Sequence, residues 1–179
     1  MNINLIQRFY LFLLKRGNPQ KYWGGLGVSF KGKATLIQGC DFGTEPYLVE
    51  IGDHVRVNNG VRFVTHDGGA WVIGNMYPEL KDVDLVGRIS IGNNVHIGTG
   101  AMIMPGVSIG NNCIIGCGSI VTHSVPDNSV VAGIPARRIE SIDEYISKHS
   151  EDFIHTKNLS PEEKKRYLQE NLEYYEYKR

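Results

Sequence analysis

The segment ISIGNNVHIGTGAMIMPGVSIGNNCIIGCGSIVTHSV, residues 89–125, repeats itself every six positions. Counted from just before it, aliphatic residues stand at Leu85, Ile91, Ile97, Ile103, Ile109, Ile115 and Val121. Four positions after each comes a second small or aliphatic residue: Ile89, Val95, Ala101, Val107, Cys113, Ser119 and Val125. A six-residue period fits neither a heptad nor simple two-residue strand alternation. It fits a short strand, a corner and another short strand, with the aliphatics stacked in columns down a solenoid interior. The Asn-Asn pairs at 58–59, 93–94 and 111–112 fall where corners are expected, and asparagine tolerates the left-handed backbone region. A β-sandwich with coincidental glycines would not keep seven steps in register.

Upstream, Ile51, Val57 and Phe63 continue the pattern, with Val55 and Val61 four positions on. Between Phe63 and Leu85 it is interrupted by VTHDGGAWVIGNMYPELKDVD. Insertions in solenoids map to loops, often on a binding face. Downstream of Ile139 the pattern turns helical. Ser141 opens SIDEYISKHS as a cap, and Ser160-Pro161 with Glu163 has capping-box spacing. These helices are expected to cover the solenoid end.

Composition agrees with a single domain over residues 1–179, divided into an N-terminal helix (1–20), the solenoid with its inserted loop 64–84 (21–140) and a helical C-terminal cap (141–179). The 19 basic and 19 acidic residues balance, which removes the field that recruits nucleic acid or an acidic membrane. Three cysteines, Cys40, Cys113 and Cys117, are too few and too odd in number for a disulfide framework, so a reducing cytoplasm is expected. The apolar run Ile3–Leu14 is too short to span a bilayer, and its basic residues follow it, unlike a signal peptide. A helix docked on the body is preferred to a membrane-surface anchor.

The whole stretch from Ile89 through VVAGIPARRI (130–139) resembles the hexapeptide-repeat acetyltransferases, particularly the branch that O-acetylates galactosides, maltose and capsular polysaccharide. The resemblance covers roughly residues 35–140. It implies an all-β solenoid, a left-handed parallel β-helix with three hexapeptides per coil, which departs from the usual right-handed crossover. It also implies a homotrimer with active sites between subunits, acetyl-CoA as acyl donor and a saccharide or nucleotide-sugar as acceptor.

Within that family a histidine at the start of the inserted loop is the base, and RFVTHDGG puts His66 there. Imidazole suits the role because it exchanges protons near neutral pH. Glu45 or Glu50 on the preceding turn could orient it, whereas Asp67 reads as a partner of the loop backbone. Met76 and Tyr77 resemble the Met-Tyr pair of galactoside acetyltransferases, and Trp71 could stack on a sugar or anchor the loop. Positions matching Thr99, Cys117, Thr122, His123 and Arg137 touch coenzyme A in the family. His123 replaces the lysine common in relatives, and arginine suits phosphate through its charge-assisted fork. Cys113 and Cys117 read as small residues of the repeat, so no acyl-cysteine is expected and the acceptor attacks the thioester directly. His96 occupies an exterior repeat position, and His54, His149 and His155 are expected to face solvent.

Three other readings compete. N-acetylation of an amino group on a nucleotide-linked sugar uses the same fold. A zinc enzyme of the γ-carbonic anhydrase kind would need convergent histidines, which His54, His66, His96 and His123 do not provide, so no metal is expected. A non-catalytic scaffold would leave the loop around His66 without purpose.

Overall fold

A computed structural model describes residues 12–171. They fall into two compact units that divide between Tyr145 and Ile146. The expectations for residues 1–11 and 172–179 lie outside the described residues.

In the first unit the chain visits three parallel sheets in rotation. One face carries β1 (Ser29–Phe30), β3 (Val49–Ile51), β8 (Ile89–Ile91) and β11 (Ser108–Ile109). The second carries β2 (Ala34–Leu36), β4 (Val55–Val57), β9 (Val95–Ile97), β12 (Cys113–Ile115) and β14 (Ser129–Gly133), with β15 (Ala136–Ser141) closing its edge antiparallel to β14. The third carries β5 (Arg62–Phe63), β10 (Met102–Ile103) and β13 (Ile120–Val121). Partners in register are Ser90 with Ser108, His96 with Ile114 and Met102 with Ile120. Each pair is one turn of three hexads apart, so the six-residue period is one side of a three-sided parallel β-solenoid.

The columns are real. Ile51, Val57, Phe63, Ile91, Ile97, Ile103, Ile109, Ile115 and Val121 are all buried, as are their companions from Val55 to Val125. One member read into the period does not belong. Leu85 is 61% exposed and lies in β7 (Leu85–Val86), a hairpin arm outside the coils. Its place in the count is coincidental, and the first hexad after the interruption begins at Ile89. The coil before Val49 also escaped the period, because its interior is aromatic. Phe42 stacks on Phe63 with ring centroids 4.4 Å apart, and Trp23 covers Phe42 at 5.0 Å.

Corners follow two chemistries. At the turn between the first and second faces, Asn94, Asn112 and Asn128 take positive φ, and so does His54. Side chains one residue earlier ladder along the axis: Asn93 Oδ1 accepts from Asp53 N at 2.8 Å, and Asn111 Oδ1 from Asn93 N at 2.8 Å. The pair at 58–59 belongs to the other kind of corner, where positive φ falls on a glycine, Gly60, and not on asparagine.

Helical structure spans residues 12–17 and Pro19–Gly25, continuing past the boundary expected at residue 20. Ser141 caps the helix Ile142–His149 in a reciprocal pair with Glu144. The same box forms between Ser160 and Glu163 at the helix Pro161–Asn171. His149 is a correction: it is buried, not solvent-facing. It follows Ile142 by seven positions and Tyr145 by four, which puts it on the same inward stripe of its helix.

Candidate active site

The chain leaves the coils at the corner after β5. Val64 N still donates to Ile103 O at 2.9 Å, and Gly87 N donates to Thr65 O at 2.8 Å on return. Between these points β6 (His66–Asp67) pairs antiparallel with β7. His66 is therefore the first residue of a two-stranded stem on a rigid corner, not a side chain on a free loop.

Its partner is Glu45, on the turn before β3. Glu45 Oε2 lies 2.9 Å from His66 Nδ1 and accepts from Thr65 Oγ1 at 2.6 Å, while Oε1 accepts from Thr44 Oγ1 at 2.8 Å. These hydrogen bonds, first from Thr65 and then from His66 and Thr44, hold the Glu45 carboxyl down at about 2. An ionised carboxylate only accepts, so Nδ1 must carry the ring proton. The lone pair of neutral imidazole is then on Nε2, which has no hydrogen-bond partner among the described residues. Glu50 is not a rival: it pairs with Lys31 at 3.1 Å. Asp67 takes the backbone role, accepting from Gly69 N at 2.8 Å.

Beyond the stem, the insertion forms the helix Ala70–Met76 and a single turn over Pro78–Leu80. With the stem it borders an open cavity of about 350 Å³ lined by His66, Asp67, Trp71, Asn75, Lys81 and Asp84 among others. Trp71 thus shares a cavity with His66. Met76 and Tyr77 do not line it; they lie at the helix end, 63% and 47% exposed.

The five positions expected at the donor sort onto two corners. Val64, Met104 and Thr122 form one column, since Met104 N donates to Val121 O as Val64 N does to Ile103 O. Thr122 and His123 therefore sit two rungs from the start of the His66 stem, ~10 Å at the usual strand spacing. Thr122 Oγ1 and His123 Nδ1 are 2.9 Å apart. Thr99 and Cys117 occupy the other end of the third face on successive rungs, tied by Gly118 N to Thr99 O at 2.8 Å. Arg137 pairs in register with Ala132, which lies over Gly116 beside Cys117. Arg137 is exposed, and its Nη1 donates to the neighbouring Ala136 carbonyl at 2.9 Å.

Residues 88–123 match the family described as bacterial transferase hexapeptide (six repeats). Protein CapG of Staphylococcus aureus is 46% identical over 165 residues, spanning 91% of this chain and 94% of that protein. The chain belongs to the hexapeptide-repeat acetyltransferases. Escherichia coli galactoside O-acetyltransferase is 55% identical over 103 residues, 56% of this chain and 47% of that enzyme. Among solved structures, a galactoside acetyltransferase in complex with coenzyme A aligns with a TM-score of 0.55 at 27% identity, covering 78% of this chain and 80% of its own. A maltose O-acetyltransferase from Clostridium difficile 630 shares the fold, with a TM-score of 0.56 at 24% identity over 75% of this chain and 85% of that one.

For a hexapeptide-repeat acetyltransferase the remaining candidates read simply. Burial raises the thiols of Cys40, to about 11, and of Cys113, so neither is poised as a nucleophile. Cys117 is exposed. His96 lies on the exterior of β9 beside Asn58 Nδ2 at 3.3 Å, and burial, then Arg56, lowers its pKa. Among the described residues no group of three or more His, Cys, Asp or Glu converges as a metal site. Sequence reasoning missed Thr44 and Thr65, which clamp Glu45, and Asn75, Lys81 and Asp84 of the cavity. Only the placement of Thr65 directly before the histidine hinted at the first two.

Proposed function

We propose that this protein transfers an acetyl group from acetyl-CoA to a saccharide hydroxyl, with His66 as general base. The observation that carries the reading is the His66–Glu45 pair at the mouth of a cavity. A carboxylate on Nδ1 fixes the tautomer, keeps Nε2 available as acceptor and stabilises the imidazolium that forms. The acceptor hydroxyl gives its proton to Nε2 as its oxygen attacks the thioester carbonyl. The tetrahedral adduct then collapses, the carbon–sulfur bond breaks, and the coenzyme A thiolate recovers the proton from the imidazolium. No acyl-cysteine is needed, in keeping with the raised thiol of buried Cys113.

Trp71 offers a flat apolar surface for a sugar ring within reach of His66, with Met76 and Tyr77 at the outer end of the same insertion. Thr99, Cys117, Thr122, His123 and Arg137 supply the donor side. The small residues of the Thr99 and Cys117 corner leave room for a pantetheine arm along the coils, and Arg137 is free to meet phosphate. A homotrimer of left-handed coils, acting in the cytoplasm, completes the reading; a neighbouring subunit would face the open side of each site. The resemblance to galactoside O-acetyltransferase favours a hydroxyl acceptor.

The test is free-thiol release from acetyl-CoA with a panel of sugars and amino sugars. Turnover with hydroxyl acceptors supports the proposal. Turnover confined to amino sugars would replace it with N-acetylation.

A further inference from the structure

Thr65 and His66 are neighbours in sequence and opposites in environment. Thr65 is fully buried, whereas the side chain of His66 is 47% exposed and that of Glu45 24%. A half-exposed imidazole can turn toward water, and a glutamate side chain has several torsions to lose before it stays in one place. Neither member of the pair is therefore fixed by the other alone.

What fixes them comes from the buried side. Thr65 Oγ1 donates to Glu45 Oε2 at 2.6 Å, shorter than the 2.9 Å from the same oxygen to His66 Nδ1. Shut away from water, that hydroxyl satisfies its proton on the carboxylate. Threonine is stiff at χ1 because it branches at Cβ, so the hydroxyl points where the backbone aims it. The backbone is pinned in turn: Val64 N donates to Ile103 O, and Thr65 O accepts from Gly87 N on the returning arm. From the other side, the turn bearing Glu45 comes within contact distance of the corner. A Cβ on Gly43 would lie 3.1 Å from Phe63 O and 3.5 Å from Thr65 Oγ1. Thr44 also donates to the carboxylate, but from an exposed position where water can take its place.

We propose that Thr65 is a positioning residue of the acetyl transfer: its hydroxyl anchors the Glu45 carboxylate to the solenoid corner, and through it holds Nδ1 of His66 so that Nε2 faces the acceptor. The inference rests on His66 being the general base. It adds that the base is aimed from inside the coils, and not by Glu45 alone. A hydroxyl that merely fills the corner would matter to folding and not to turnover.

Steady-state thiol release from acetyl-CoA, with a productive sugar, tests it in Thr65→Val, Thr65→Ser, Glu45→Ala and the double variant Thr65→Val with Glu45→Ala. Valine keeps the shape of threonine and loses the donor. Thr65→Val is expected to lower kcat by ~10-fold, the scale of a misplaced catalytic group, with KM for both substrates within about twofold. Serine restores the donor, so Thr65→Ser should return most of the lost rate. With Glu45→Ala there is nothing left to hold, and adding Thr65→Val should cost less than about twofold more. Thermal melting checks each fold, and Thr65→Cys, a weak donor of similar size, replaces valine if that variant melts early. The inference is overturned if Thr65→Val costs as much with Glu45 absent as with it present. It is overturned too if Thr65→Ser is as slow as Thr65→Val, which would make packing the contribution. His66→Asn decides the base reading separately. Slow turnover there, with wild-type rates in Glu45→Ala or in Thr65→Val, overturns this inference alone.

Discussion

Three hydrogen-bonding neighbours decide what Glu45 can do. Thr65, His66 and Thr44 all stabilise its anion, so its folded pKa of about 2 lies below the ordinary glutamate value near 4.3. A carboxyl depressed on folding contributes stability that is fully present above its unfolded pKa and is lost as pH falls toward the folded value. Wild type and Glu45→Gln should therefore differ in melting temperature at pH 6, and the gap should close between about pH 4 and pH 2. A constant gap would mean that Glu45 acts by packing alone. In turnover, Glu45→Gln removes the anion that fixes the Nδ1–H tautomer and stabilises the imidazolium. The kcat should fall by ~10-fold or more, and coenzyme A affinity should hold. The donor side has its own residue test. Arg137→Ala removes charge-assisted bonds worth about 1.5–3 kcal/mol when desolvated, and less at an exposed position. Calorimetry should show weaker coenzyme A binding, with a smaller loss for the dephospho form. Unchanged affinity for both would mean that Arg137 only leaves the last coil.

Among the elements, the rungs of the solenoid leave little room at chosen positions. A Cβ built on Gly98 would sit 2.6 Å from Cys117 N, against backbone that cannot yield as a side chain can. Gly98→Ala should lower stability by about 1–3 kcal/mol, the usual cost of overpacking, read as a drop in denaturation midpoint. Wild-type stability would show that the rungs separate at no cost. The same elements show which parts of the fold were legible in sequence. Six-step columns are visible wherever each side of a coil is one strand and one corner, from Ile89 to Val125. They fade where aromatics fill the core, as at Trp23 and Phe42, because two large rings replace several regularly spaced aliphatics. Leu85 matched the period by chance, since spacing alone cannot distinguish a coil from a hairpin arm that abuts it. Asn94 and Asn112 were legible as left-handed corners; His54 was not, because Asp53-His54 stands where those corners carry an Asn-Asn pair. His66 could be found from its place at the interruption. Its choice of Glu45 over Glu50 could not, since both precede it on one turn and only the folded register separates them.

At the scale of the whole molecule, the insertion exposes Trp71, Val72, Met76, Tyr77, Leu85 and Val86, each half or nearly half in water or more. So many exposed apolar side chains on one insertion ask for a partner, and a closed ring of identical copies is the simplest supply. Native mass spectrometry at micromolar protein should show trimers; a stable monomer with full turnover would remove the shared-site reading. In the proposed mechanism, donor and acceptor meet at one nitrogen, Nε2 of His66. His66→Asn keeps polarity and much of the volume but cannot accept the proton at neutral pH. The decisive measurement is the pH–rate profile of thiol release for wild type and His66→Asn with a productive sugar, alongside melting and coenzyme A titration. Wild type should rise with pH through one deprotonation, and the variant should lose that limb and ~10²–10⁴-fold in kcat while folding and binding donor normally. A variant that stays within a few-fold of wild type and keeps the limb would place the base elsewhere and leave the insertion as an acceptor lid.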